Sequence, residues 1–353
     1  MTSSIPSEVL AQYPALAPPP GVEPNLNIPE SRAHSVIVAS GVFTAILLIF
    51  VILRMYAKVF VSKSVGWEDA ACVMGTIFSV GYVGLVSHVF HSGIGAHQWN
   101  VHLTVFFNET TVKELKATNF LSSPMMIFAK LSVLLLFFRL FATTKSFRNW
   151  IYFGIFTILL NHVGGVLLAV FLCLSSDPIV YAKCSEKTVI LDVVISVINI
   201  ISDFCILLLP LLVISQLRMN GRKKVGLCAV FMTGLDACIS SVVGLIYRVV
   251  QWHSDDTSWW LGPLLVLSLL EVNMTLITGC MPLIPVIFKN NNLSLESFLS
   301  SRFFTLLSLR TKRSSNYESD DAPSKPISRE NYVEMGNRNS KDKGFKAGDG
   351  DVV

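Results

Sequence analysis

The sequence predicts an all-α integral membrane protein, a seven-transmembrane helix bundle with its N-terminus outside and its C-terminal tail cytoplasmic. Three observations carry this. Of 353 residues, 52% are hydrophobic and 15% charged, against roughly a quarter charged in a soluble domain. Residues 289 to 353 hold 20 of the 52 Asp, Glu, Lys and Arg residues, which leaves the first 288 residues about 11% charged. That body contains seven apolar stretches of about 20 residues, the length a helix needs to cross a hydrocarbon core. A mean hydropathy of +0.57 excludes a DNA-binding module, a disordered scaffold and a cytosolic enzyme, and nucleic acid is not an expected partner.

Residues 1–34 read as an extracellular leader. Seven of the 15 prolines fall in its first 33 residues, including Pro18-Pro19-Pro20, and the segment has neither the basic start nor the apolar core of a cleaved signal peptide. A short extended exterior segment is expected, too small for a ligand-binding domain. The seven-helix domain covers 35–288, with spans at about 35–57, 69–91, 118–140, 150–173, 189–214, 225–249 and 261–288. Helices are expected because backbone polar groups in lipid must be satisfied within each span, and no alternating ten-residue pattern points to a barrel. Residues 289–310 place Leu295, Phe298, Leu299, Phe303, Leu306 and Leu307 near helical spacing beside Arg302 and Arg310, as in an amphipathic helix on the inner membrane surface. Residues 311–353 are polar and expected to be a disordered cytoplasmic tail, with Ser314 and Ser315 beside Lys312 and Arg313 as phosphorylation candidates.

Basic residues in short loops set the orientation. Arg54, Lys58, Lys63, Arg139, Lys145, Arg148, Arg218, Arg222, Lys223 and Lys224 flank one side, against Arg32, Lys113, Lys116, Lys183 and Lys187 on the other. Ten against five puts the N-terminus outside. Asn108-Glu109-Thr110 is then a glycosylation candidate in an outward loop. Cys173 and Cys184 also fall outside, where they are either a disulfide or two unpaired thiols. Cys72, Cys205, Cys228, Cys238 and Cys280 lie in spans and read as small packing residues.

Charges inside spans cost several kcal/mol unless paired or hydrated. Lys130, Asp203, Asp236 and Glu271 sit near the middle of spans three, five, six and seven, with Arg248 toward the outer end of span six and Asp192 also near the outer side. One lysine among three carboxylates can pair with one of them, and the sequence leaves the partner open. This intramembrane polar network is read either as glue between helices or as a switch whose pair breaks on activation. His88, His91, His97 and His102 cluster loosely at the outer end of span two, yet interfacial histidines without metal are commoner, so no metal is expected. A retinal Schiff base would need a lysine in the last span; residues 261–288 have none and Lys289 lies at the boundary. Phe137-Phe138-Arg139-Leu140-Phe141 and Cys280-Met281-Pro282-Leu283-Ile284-Pro285 lack the motifs of animal rhodopsin-like receptors.

Several segments together resemble the fungal rhodopsin-domain family of seven-transmembrane proteins, which includes the satratoxin-cluster membrane protein and the pathogenicity-related receptor-like proteins. The most specific is Gly93-Ile94-Gly95-Ala96-His97-Gln98-Trp99-Asn100, similar to the family's Gly-x-Gly-x-His-x-Trp-Asp. Glu68-Asp69, Lys130-Leu131-Ser132 with Arg139-Leu140-Phe141, the Cys173 and Cys184 loop, Asp203 with Pro210, Phe231, Gly234, Arg248, Glu271-Val272-Asn273, Cys280 and Pro282 are further matches. Asn100 and Glu68 stand where Asp is commoner, Asp236 is an extra charge, and no cysteine-rich exterior module precedes span one. The chain thus resembles the short form. The resemblance implies a membrane protein associated in some members with secondary-metabolite pathways.

The expected function is a receptor-like sensor of a small hydrophobic ligand. Its basic fifth connection, Arg218, Arg222, Lys223 and Lys224, would meet a cytoplasmic partner such as a heterotrimeric G protein. The alternative is a membrane enzyme of secondary-metabolite biosynthesis using Asp203, Asp236 or Glu271 as general acid, and a third reading is a transporter. No nucleophile, cofactor loop or paired-carboxylate motif is present, so no catalytic residue and no cofactor is assigned.

Overall fold

The computed structural model describes residues 12–26, 29–141, 145–172, 178–214 and 221–283. Among them are seven long helices: α1 (Ala33–Tyr56), α2 (Trp67–His91), α3 (Glu109–Phe141), α4 (Lys145–Leu172), α5 (Pro178–Ile214), α6 (Gly221–Trp252) and α7 (Thr257–Cys280). All seven contain stretches long and apolar enough to cross a bilayer. The 24 residues of α1 rise about 36 Å, more than the roughly 30 Å of a hydrocarbon core. The chain is an integral, multi-pass membrane protein. Cys173, Arg218, Lys289, the 289–310 segment and the 311–353 tail with Ser314 and Ser315 lie outside the described residues, as do the side chains of Cys184, Arg222, Lys223 and Lys224.

Two helices run past their apolar stretches. α3 starts at Glu109, nine residues before the predicted span at 118, because charge ends a hydropathy window but not a hydrogen-bond ladder. Its first turns are held by the Asn108 Oδ1 acceptor for Thr110 N (2.9 Å) and the Glu109–Lys113 pair (3.0 Å). Lys113 and Lys116, expected in a loop, are therefore helical. α1 continues through a π turn, Ala57–Val61, that ends near Lys63 at φ +45°. Lys58 is thereby inside a helix and buried rather than in a solvated connection.

α7 is the central helix, with 67% of its apolar window buried against 11% for α4. The larger core cluster joins α1, α2, α3 and α7 through Leu47, Val51, Tyr82, Met125, Leu269 and Leu276. A smaller one sets Val133, Leu134 and Phe137 of α3 against Ile151 and Ile158 of α4. Lipid tails are as apolar as these side chains, so association rests on close packing and interhelical hydrogen bonds. α2 and α7 show both. A Cβ on Gly75 would lie 3.2 Å from Leu276 Cδ2, and one turn away Ser79 Oγ donates to Asn273 Oδ1 at 2.9 Å.

No strand occurs among the described residues, which hold three isolated bridges. Two of them, Pro14 with His102 and Ser31 with Ala96, dock the leader against the α2–α3 connection. Ala15 N donates to Val101 O (2.9 Å), Leu103 N to Tyr13 O (3.0 Å) and Asn25 N to Asn100 Oδ1 (2.9 Å). The α2–α3 connection leaves backbone groups without helical partners, and the leader supplies them.

Candidate functional site

Three polar constellations lie at three levels of the bundle. The middle one contains Lys130, Asp203 and Glu271, three of the intramembrane charges that the sequence singles out. Lys130 of α3 reaches α5, where its Nζ lies 2.7 Å from Asp203 Oδ1 and donates to Asn199 Oδ1 (2.6 Å) and Ser202 Oγ (2.7 Å). Asp203 is thus the partner that the sequence left open. Asn199 Nδ2 donates in turn to Glu271 Oε1 of α7 at 2.7 Å, and Ser241 Oγ of α6 donates to Asp203 Oδ2 at 2.6 Å. Four helices meet through one connected chain, and Lys130, Asp203 and Glu271 are 1%, 6% and 5% exposed.

Arg248 and Asp236 are not in that chain of contacts. Arg248 donates to Ser196 Oγ of α5 and, at 3.4 Å, to Ser268 Oγ of α7. The half-buried Asp236 side chain meets no cation among the described residues, while its carbonyl accepts from Ser240 Oγ at 2.8 Å. Beside Asp203 is a cavity of about 30 Å³ lined by Val133, Phe137, Leu207, Gly234, Thr275 and Thr278 among others. It suits a water molecule, far below the roughly 300–1,000 Å³ of a ligand pocket.

The second constellation, at the end of the bundle where α1 finishes and α2 begins, pairs three cations with two carboxylates. Arg54 donates through Nε to Asp69 Oδ1 (2.9 Å), and its Nη1 donates to the Gly279 carbonyl of α7. Lys58 Nζ lies 2.9 Å from Glu68 Oε1 and 3.4 Å from Asp69 Oδ2. Arg139 of α3 binds Glu68 as well and donates to Ser64 O at 3.1 Å. Glu68 and Asp69 occupy the first turn of α2, where the helix dipole favours carboxylates, and Asp69 Oδ2 accepts from Gly66 N at 3.0 Å. Arg54 and Asp69 side chains are fully buried and Arg139 is 40% exposed. Orientation reasoning counts Lys58 as loop charge and Arg54 and Arg139 as charges at helix ends, and so misses this cluster. The available signal is two cations four residues apart followed by adjacent carboxylates across a short connection.

At the opposite end the Gly93–Asn100 loop forms a cap. Gly93 and Gly95 adopt φ +99° and +105°, and a Cβ on Gly95 would come within 2.6 Å of the Phe90 ring. The turn brings His97 between Trp99 and Trp259, with ring centroids 4.3 and 3.8 Å apart, and the Arg32 guanidinium lies 3.8 Å above the Trp259 ring. His97 Nδ1 is 2.6 Å from Asp256 Oδ2, and Asp256 Oδ1 accepts from Gln98 N (2.9 Å) and Trp259 N (3.4 Å), capping α7. Gly95 O accepts from Arg32 N at 2.9 Å. The loop thus ties the starts of α1 and α7. His88 is engaged with Glu114 at 2.9 Å, and the described residues hold no group of three or more metal-ligating side chains. Asn108 is exposed at the start of α3.

The fungal rhodopsin domain matches residues 53–290. The chain is 29% identical over 303 residues to fugralins biosynthesis cluster protein 2 of Gibberella zeae, covering 78% of this chain and 71% of that protein. It is 26% identical over 268 residues to a SAT4 family membrane protein of Emericella nidulans, covering 74% of this chain and 62%, under two thirds, of that protein. It is 25% identical over 295 residues to a polyenoic acids biosynthesis gene cluster protein of Metarhizium anisopliae, covering 78% of this chain and 79% of that one. No solved structure matches. With the domain running from the last turn of α1 through α7, and Lys130, Glu68-Asp69 and His97 inside it, the chain belongs to the fungal rhodopsin-domain family of integral membrane proteins.

Proposed function

We propose that the chain is a receptor-like sensor, with its N-terminus outside, that detects a small hydrophobic ligand and signals to a cytoplasmic partner. The observation that supports this reading is the Lys130 junction. One cation holds α5 to α3, and the same α5 asparagine holds α7 through Glu271. A buried ion pair of this kind has discrete made and broken arrangements, which is what a two-state switch requires. The cavity at Asp203 has room for water, so a ligand at this junction acts by separating α5 or α6 from α3 rather than by filling that cavity. In the broken state the basic connection containing Arg218, Arg222, Lys223 and Lys224 meets the partner, for which a heterotrimeric G protein is the class proposed.

The test is co-purification with the host's G-protein α subunits in the presence and absence of a GTP analogue, with Arg218, Arg222, Lys223 and Lys224 replaced by Gln as control. Release on nucleotide, absent in the variant, supports coupling; no complex with any α subunit removes it. The two relatives named for biosynthesis clusters favour a second reading, a membrane enzyme of secondary metabolism with Asp203, on the cavity wall, as general acid. Turnover of a pathway intermediate by membranes containing the protein and not by an Asp203→Asn form would select it.

A further inference from the structure

The chain holds three Asn-x-Ser/Thr acceptor triplets, and their surroundings differ. Asn273-Met274-Thr275 belongs to α7, where Asn273 is 1% exposed and accepts from Ser79, sealed inside the bundle. Asn292-Leu293-Ser294 follows the last span and lies outside the described residues. Asn108-Glu109-Thr110 opens α3, and all three of its residues are exposed. Lys113, Glu114 and Lys116 stand between this triplet and the apolar stretch of α3, which keeps the first turns of the helix out of the hydrocarbon.

The two ends of the Asn108 amide have different fates. The backbone is extended, at φ −75° and ψ +119°, and Oδ1 accepts from Thr110 N at 2.9 Å, capping α3. Nδ2 has no hydrogen-bond partner among the described residues, and neither has the Thr110 hydroxyl. We propose that Asn108 is the N-glycosylation site of this chain, modified by transfer from a polyprenyl-diphosphate-linked oligosaccharide. In the transfer Nδ2 forms a bond to C1 of the first sugar, the bond from that carbon to the diphosphate oxygen breaks, and one Nδ2 proton is lost as the polyprenyl diphosphate departs. Nothing is oxidised or reduced. The product is a secondary amide that keeps Oδ1, so the cap survives and the glycan grows from an atom the fold does not use. The Asn108 turn is closed within three residues and needs no tertiary contact, so it can form while the chain is still being inserted.

Five spans separate residues 108 and 292. That number is odd, so the two triplets face opposite sides of the membrane in either orientation, and only one meets the transferase. The inference rests on the N-terminus-outside orientation of the proposed function, which selects Asn108. Its test uses the full chain expressed in a fungal host. Membranes are treated with peptide N-glycosidase, and the chain is read by electrophoresis and peptide mass. A downward band shift with deamidation at Asn108 is expected for wild type, a shift also for Thr110→Ser, and no shift for Asn108→Asp or Thr110→Ala. Asn108→Asp keeps the oxygen that caps α3, so loss of its shift reports the glycan rather than the fold. Protease added to sealed microsomes reads the orientation separately, by cutting or sparing the 311–353 tail. An unshifted wild-type band with the tail cut overturns the inference and leaves the orientation standing. An unshifted band with the tail spared, or a shift abolished by Asn292→Gln and kept by Asn108→Asp, overturns both.

Discussion

Replacing Lys130 with methionine tests the central junction, because the structure states what each partner loses. The change removes an ion pair of 2.7 Å and two charge-assisted hydrogen bonds of 2.6 and 2.7 Å, and leaves Asp203 in the bundle with Ser241 as its donor. Orphaning one member of a buried pair costs about 3–5 kcal/mol. Asp203→Leu is expected to cost a similar amount by stranding Lys130. The double variant loses both charges while Asn199 keeps Glu271, and is expected to lie only about 1–2 kcal/mol below wild type. The cycle therefore predicts a coupling of at least about 4 kcal/mol, well above the ~0.6 kcal/mol typical of a single interhelical hydrogen bond in a membrane protein. Reversible unfolding of detergent-solubilised protein by titration with sodium dodecyl sulfate measures all four forms. Additive single variants, or a Lys130→Met protein within about 0.5 kcal/mol of wild type, would refute the reasoning.

Gly95→Ala forces a side chain onto a backbone at φ +105° and against Phe90, and should destabilise by about 2 kcal/mol, whereas Gly41→Ala, in open space on α1, should be neutral or stabilise by up to ~1 kcal/mol; thermal unfolding in one detergent compares them. Arg54→Met should cost about 3 kcal/mol because it leaves the fully buried Asp69 with only the longer Lys58 contact and the Gly66 N–H, while Arg139→Gln, 40% exposed, should cost less than about 1 kcal/mol; the same melts would contradict this if the two were equal. Asp256→Ala removes the α7 cap and the His97 contact and should cost about 2 kcal/mol, with tryptophan emission shifted to the red as Trp99 and Trp259 lose their stacking; an unchanged spectrum would show that Asp256 does not hold the stack.

The seven helices were legible because lipid imposes one requirement on every span, a long apolar run. Helix ends were less legible, since Glu109, Lys113 and Glu114 satisfy one another or His88 and so extend α3 through charged sequence. Lys130, Asp203 and Glu271 were legible as expensive residues at similar depth, but their pairing depends on helix rotation, which no hydropathy window contains. Asn199, Ser202 and Ser241, which complete that junction, are ordinary polar residues along the chain and acquire meaning only from their neighbours. The Gly93–Asn100 motif was recognisable as a pattern, while its stacking against Trp259 and Arg32 depends on residues far from it in the chain.

Arg54 donates to the carbonyl of a residue 225 positions further along the chain and to a carboxylate only 15 positions away, which has a consequence for biogenesis. At a synthesis rate of about 5–20 residues per second, Gly279 leaves the ribosome roughly 10–45 s after Arg54. Asp69 follows Arg54 within a few seconds at that rate, and Glu68 and Lys58 form the second pair of the same hairpin. The first two spans therefore carry partners for Arg54 and Lys58 within their own hairpin, at Glu68 and Asp69, and only the Gly279 carbonyl must await the last span.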